Sequence, residues 1–208
     1  LINVHAENPD LIDLNTENFL KEGKISAWYH YLSRPEFVEA EADQRAVHWA
    51  KHLDAPIYIV HMADKEGLEA CIRAKEEGAP VYVETCPQYL EFTCDVYKRE
   101  DGRNFVCSPP MKGQESLDAL WEAIKDGFID TIATDHCSFQ SYEKDWGKDD
   151  FTKIPNGCAG VETQTSRCLL CENAPCSHAC TSHLPVSDII RSFRFENHMG
   201  AAERSCKM

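Results

Sequence analysis

Three side chains able to ligate a metal stand at the ends of apolar runs: His5 in "NVHAEN", His61 in "YIVHM" and Asp135 in "IATDH". Imidazole nitrogens suit zinc, manganese or iron, and a carboxylate adds neutralising charge, so the trio could hold a divalent transition metal. One such histidine alone is as readily a hydrogen-bonded core residue. Three at matching positions argue for a shared centre. A second concentration of ligands is Cys168, Cys171, Cys176 and Cys180 in "CLLCENAPCSHAC", spaced C-x2-C-x4-C-x3-C. Thiolates this dense bind zinc or an iron–sulfur cluster. The paired C-x2-C knuckles usual for structural zinc are missing from this stretch, and a fourth Cys three residues after the third favours iron–sulfur.

The elements that must position His5, His61 and Asp135 alternate between β and α patterns. "LINVHAEN" opens as a strand. In "RPEFVEAEADQRAVHWAKHLD" the residues Val38, Ala42, Ala46, Val47, Ala50 and Leu53 recur at helical spacing. "APIYIVHMA" is a continuous β-branched and aromatic run, expected as a strand buried on both faces. "DKEGLEACIRAKEEGA" is an amphipathic helix stopped at Gly78, and "PVYVETCP" is a further buried strand. "SLDALWEAIKDG" is a helix ending at Gly127, and "FIDTIATDH" is a last strand. The stretch from Gln88 to Pro110 breaks the alternation and is expected as a loop or insertion. Strand–helix–strand alternation implies parallel strands joined by helical crossovers. His5, His61, Glu84 and Asp135 each close a strand, where (β/α)8 barrels build active sites. Four strands in about 160 residues make half of a barrel that needs roughly 250.

The remaining histidines and cysteines have plainer readings. His48 and His52 stand at i, i+4 on a helix, but with no third ligand near they belong to a solvated face. His136 follows Asp135 and points the other way along the strand, and "WYHY" at 28–31 reads as packing. Cys71, Cys86, Cys94, Cys107, Cys137 and Cys158 lack ligand spacing and are expected as buried free thiols.

The chain has 208 residues, a net charge of −14 and 43% hydrophobic residues. Its acidity opposes nucleic-acid binding, which needs a basic face. No run approaches the ~18 apolar residues of a membrane span, and no secretory signal is visible. Clustered and scattered cysteines without signs of export point to the cytoplasm. Residues 1–163 hold 16 Lys+Arg against 31 Asp+Glu, whereas residues 164–208 hold 5 against 4. Cysteine shifts with the charge, six in the first segment and five in the second. Composition therefore divides the chain into 1–163 and 164–208, with the boundary near Thr163–Ser166. The chain starts at Leu1, directly in a strand-like run, so part of the protein is expected to precede it.

"VHAEN", "APIYIVHM", "ETCPQYL", "CSPPM", "TDHCSF" and "DFTKIPNG", in this order and spacing, resemble the dihydropyrimidinase and D-hydantoinase group of cyclic amidohydrolases from about Leu1 to Thr163. The resemblance implies an α/β fold: the second half, strands 5–8, of the TIM (β/α)8 barrel of the amidohydrolase superfamily. It further implies a two-metal centre, usually zinc, that opens small cyclic ureides such as dihydrouracil or hydantoins. His5 and His61 would ligate one metal. Asp135 would ligate the other and act as acid/base. Ser108 and Asn156 would lie in the segments that hold the ring amide. The same resemblance implies a homotetramer. It also requires a His-x-His pair, a carboxylated lysine and an oxyanion-stabilising tyrosine, all expected before Leu1, so this chain alone is expected to be inactive. Pro9 stands where the family has Gly, which bears on the loop after His5.

Residues from about Ser166 to Glu203 resemble instead the N-terminal iron–sulfur domain of dihydropyrimidine dehydrogenase and of glutamate synthase small subunits. That resemblance implies a short, mainly α-helical, Cys-rich tail and a [4Fe–4S] cluster. Cys168, Cys171 and Cys176 would serve one cluster and Cys180 its neighbour, with Ile189, Ile190, Phe193 and Phe195 as apolar contacts. Cys206 matches none of the remaining ligands. Two alternatives to the hydrolase therefore stand: an iron–sulfur electron-transfer segment of such a dehydrogenase, or a non-catalytic fusion fragment.

Overall fold

A computed structural model describes residues 1–161. The four tail cysteines, their cluster and the expected helical tail lie outside the described residues, as does the boundary near Thr163–Ser166. Leu1–Gly160 forms one compact α/β unit. Its strands are β1 (Ile2–Val4), β2 (Ile57–Ile59), β3 (Val81–Thr85) and β4 (Thr131–Ile132), all parallel and adjacent in chain order. Parallel neighbours in sequence order, joined by the right-handed crossovers that strand twist enforces, place every crossover helix on one face.

The crossovers between strands are α1 (Pro9–Lys21), α2 (Ala27–Ser33), α3 (Glu36–Leu53), α4 (Lys65–Glu76) and α5 (Gln114–Lys125), and α6 (Ser141–Lys144) follows β4. In α4 the Asp64 side chain accepts from Gly67 N at 2.8 Å and so caps the first turn, while Leu68, Cys71 and Ala74 form the buried stripe. Gly78 and Gly127, with φ of +84° and +80°, end α4 and α5 in the left-handed region that favours glycine. Ser116, Leu120 and Ala123 turn inward from α5. Ile57, Ile59, Val81 and Val83 meet these helices in one core with Val47, Ala50, Leu68 and Leu120.

The structure corrects three expectations. β2 and β3 are not buried on both faces: Ile57, Ile59, Val81 and Val83 face the helices, whereas Tyr82 is 44% exposed and Tyr58 and Glu84 are half-buried. The stretch after Gln88 is not a plain loop but three 3-10 turns, at Pro87–Leu90, Cys94–Lys98 and Gly102–Phe105. Helices α1 and α2 are additional to the sequence reading. Their signal was present, since Asn8 caps α1 by accepting from Leu11 N at 3.3 Å and Pro9 occupies the first turn, where its missing N–H costs nothing. Pro9 thus sets the helix start directly after His5.

Candidate metal centre at the strand ends

His5 follows β1 and His61 follows β2 by two residues, on neighbouring parallel strands in register (Val4 opposite Ile59). Their rings meet edge to face, with His5 Nδ1 2.8 Å from His61 Nε2. His61 has φ +44° and Asp135 φ +43°, so both turn their side chains out of the extended path where a strand ends. Left-handed backbone at a non-glycine residue costs energy and clusters at functional sites.

The residue that orients His5 is Glu7, which sequence reasoning missed. Its Oε2 lies 3.0 Å from His5 Nε2 and accepts from Arg34 Nη1 at 2.7 Å. A carboxylate can only accept, so the proton of a neutral His5 ring sits on Nε2 and Nδ1 keeps its lone pair. This places the ligand-competent nitrogen of His5 toward His61. Burial by itself raises the Glu7 carboxyl, but the His5 hydrogen bond and the Arg34 and Lys112 charges outweigh it and hold Glu7 at about 2. Burial, and then the neighbouring His5, push the His61 imidazole down to about 4, while the Asp135 charge works in the opposite direction. His61 is thus a neutral ring at neutral pH, as a ligand must be. Its Nδ1 is buried without a hydrogen-bond partner.

Of the three strand-end residues, His5 and His61 are in direct contact, and Asp135 reaches His61 through its charge. Asp135 is exposed, and the trio does not bring one ligand atom each within 4.8 Å of one another. The strand-end Glu84 takes a structural part, accepting from the Tyr58 hydroxyl at 2.6 Å and from His61 N at 3.4 Å. Ser108 and Asn156 come together across 48 residues, Ser108 Oγ donating to Asn156 Oδ1 at 2.9 Å. Beside them Lys144 Nζ donates to the carbonyls of Val106 and Gly157, both at 2.8 Å, and to that of Pro155 at 2.5 Å, which pins both segments.

The other candidates fall into place as side chains. His48 and His52 are exposed with ring centroids 4.3 Å apart. In "WYHY", His30 is buried with Nε2 2.9 Å from Cys107 O, and Tyr31 stacks on Tyr97. His136 Nδ1 accepts from Gly160 N at 3.1 Å. The six described cysteines are free, but only Cys71, Cys86 and Cys107 are buried. Cys137 is exposed, and Cys94 and Cys158 are half-buried. The correction has a simple cause: Cys137 lies in the exposed segment after β4.

No helix among the described residues is long and apolar enough to cross a membrane. No protein-family model matches the chain. The chain is 45% identical over 166 residues to the D-hydantoinase of Ralstonia pickettii, covering 78% of this chain and 36% of that one. It is 44% identical over 166 residues to the D-hydantoinase of Rhizobium radiobacter, with the same two coverages. Among solved structures, the dihydropyrimidinase of Brevibacillus agri NCHU1002 matches with a TM-score of 0.77 at 40% identity, again over 78% of this chain and 36% of that one. Nothing in these comparisons supports an iron–sulfur electron-transfer reading. Over about four-fifths of its own length, this chain is similar in sequence and in fold to roughly a third of the D-hydantoinase and dihydropyrimidinase polypeptides.

Proposed function

We propose that this chain supplies part of the active centre of a metal-dependent cyclic amidohydrolase of the hydantoinase and dihydropyrimidinase kind. The chain spans about a third of the length of the curated relatives it matches, so the activity, the ureide substrate and the partners of a whole enzyme are all part of this proposal. The observation that carries it is the 2.8 Å convergence of His5 Nδ1 and His61 Nε2 at the ends of adjacent parallel strands. Two imidazoles, one of them held in place by Glu7, are donors of the kind that zinc prefers. One-sided helix packing and consecutive strand order support reading the sheet as part of a (β/α)8 barrel, with the site at the C-terminal strand ends. A tetrameric, cytoplasmic enzyme belongs to the same reading.

In this reading His5 and His61 would hold one metal, and Asp135 would serve the other. Bound metal would supply hydroxide near neutral pH and polarise the ring carbonyl. Asp135, exposed and still within electrostatic reach of His61, would take the proton of the attacking water oxygen as that oxygen bonds to the carbonyl carbon. It then delivers that proton to the ring nitrogen as the C–N bond breaks. The paired segments carrying Ser108 and Asn156 hold the ring amide, and Lys144 keeps them in register. The iron–sulfur reading of the tail, on Cys168, Cys171, Cys176 and Cys180, remains a separate proposal outside the described residues.

The test is a chimera in which residues 1–161 replace the matching stretch of the Ralstonia pickettii D-hydantoinase. Ring opening of hydantoin and of dihydrouracil is expected, with loss in His61→Ala and Asp135→Ala versions. A folded, metal-loaded chimera that turns over neither ring would overturn the proposal.

A further inference from the structure

A second group of ligands lies away from the histidines, between α3 and the start of α4. Glu39 and Asp43 are one turn apart on the inner face of α3, and Asp64 caps α4. One carboxylate oxygen from each lies within 4.8 Å of the other two, and all three residues are buried. Asp43 provides an observation beyond the clustering: it is 0% exposed and neither of its oxygens has a hydrogen-bond partner. Asp64 Oδ2 also lacks one. Glu39 Oε2 has only an ion pair with Lys112 Nζ at 3.2 Å, without hydrogen-bond geometry. A Cβ added to Gly67 would lie 2.4 Å from Asp43 Oδ2 and 2.7 Å from Asp64 Oδ2, so both oxygens converge where α4 offers no side chain.

The partners already present do not balance these groups. Ala63 N donates to Glu39 Oε1 and Gly67 N to Asp64 Oδ1, both at 2.8 Å. As carboxylates the three carry two more negative charges than the single Lys112 ammonium supplies. A buried charge must be paired or lose its charge. Burial raises all three carboxyls, Glu39 to about 8, Asp43 well above the usual carboxylate range and Asp64 to about 6, so the unpaired charge is disfavoured without a cation. A divalent cation would supply the missing charge and also give ligand bonds to the oxygens that no donor reaches.

We propose that Glu39, Asp43 and Asp64 form a binding site for a hard divalent cation, with calcium as the best fit. All-oxygen donors select hard cations over zinc. Calcium takes carboxylate oxygens at roughly 2.3–2.6 Å in flexible geometry, so two ligands of one ion stand up to about 5 Å apart. The 4.8 Å grouping meets that condition. Magnesium demands near-ideal octahedral geometry, which carboxylates from two separate helices suit less well than the flexible coordination of calcium. The ion would join α3 to the N-terminus of α4, three residues after His61, and would stiffen the segment that leaves β2.

The test uses the 208-residue chain. Melting temperature is measured in chelator and then with calcium chloride, at matched ionic strength. At a hundredfold excess over Kd, a rise of roughly 5–10 °C is expected for a chain of this size. Asp43→Asn keeps the side-chain shape, cannot ionise and should melt no lower than the parent in chelator, but its calcium-dependent rise should vanish. His61→Ala should keep the full rise, which separates this site from the proposed metal centre. Absence of a rise in the parent, or an undiminished rise in Asp43→Asn, would show that the carboxylates hold protons instead.

Discussion

Gly67→Ala reverses an ordinary expectation. At an exposed helical position this change stabilises by up to about 1 kcal/mol, because alanine is the better helix former. Here the new methyl would sit 2.4 Å from Asp43 Oδ2 and 2.7 Å from Asp64 Oδ2, both well inside contact distance. Asp43 is fully buried against Glu39 and cannot swing into solvent, and Asp64 is held by its cap to Gly67 N. Overpacking of this kind costs about 1–3 kcal/mol. The net expectation is a loss of about 1–2 kcal/mol, taking the upper part of that range because two contacts are violated at once. Asp43→Ala empties the space and lets Asp64 relax, so in that background Gly67→Ala should be neutral or stabilising. The coupling between the two changes is then about 2 kcal/mol, within the range found for residues in contact. Urea unfolding of the parent, both single variants and the double variant, followed by far-ultraviolet circular dichroism in chelator, measures it. A stabilised single Gly67→Ala variant, or equal effects in the two backgrounds, would refute the reasoning.

Glu7→Gln removes the carboxylate that fixes the His5 tautomer, and should weaken zinc binding by the chain roughly 10–100-fold in a calorimetric titration. Unchanged affinity would mean that Glu7 only anchors Arg34. Burial, with the Arg34 charge second, pushes the His30 imidazole down to about 4. A depressed imidazole stabilises fully above its unfolded value near 6.5, and that stability is lost as pH falls through about 4. His30→Gln should therefore reduce the decline in unfolding free energy between those limits by up to about 3 kcal/mol. Parallel pH curves for parent and variant would dispose of this assignment.

Local patterns in the sequence determine the alternating elements of this protein. Helix α3 follows from Val38, Ala42, Val47 and Ala50, and α4 and α5 from their apolar stripes and the glycines that end them. Parallel strands follow from β-branched runs, each closed by a polar residue such as His5, His61 or Asp135. Such features depend on residues three or four apart, or on one strand, and so survive reading in one dimension. The long-range pairings do not. Glu7 meets Arg34 across 27 residues and Ser108 meets Asn156 across 48, and no periodicity links either pair. Runs such as "YIV" and "VYV" are apolar on both sides, so only the packing of every crossover helix on one face decides that Tyr82 is left exposed. The sharpest case is Glu39 and Asp43. Nothing in their i, i+4 spacing on an acidic helix points to burial, since unpaired carboxylates avoid it. Tertiary packing of α3 against α4 instead turns them inward, beside Asp64 and a Gly67 that leaves room for them.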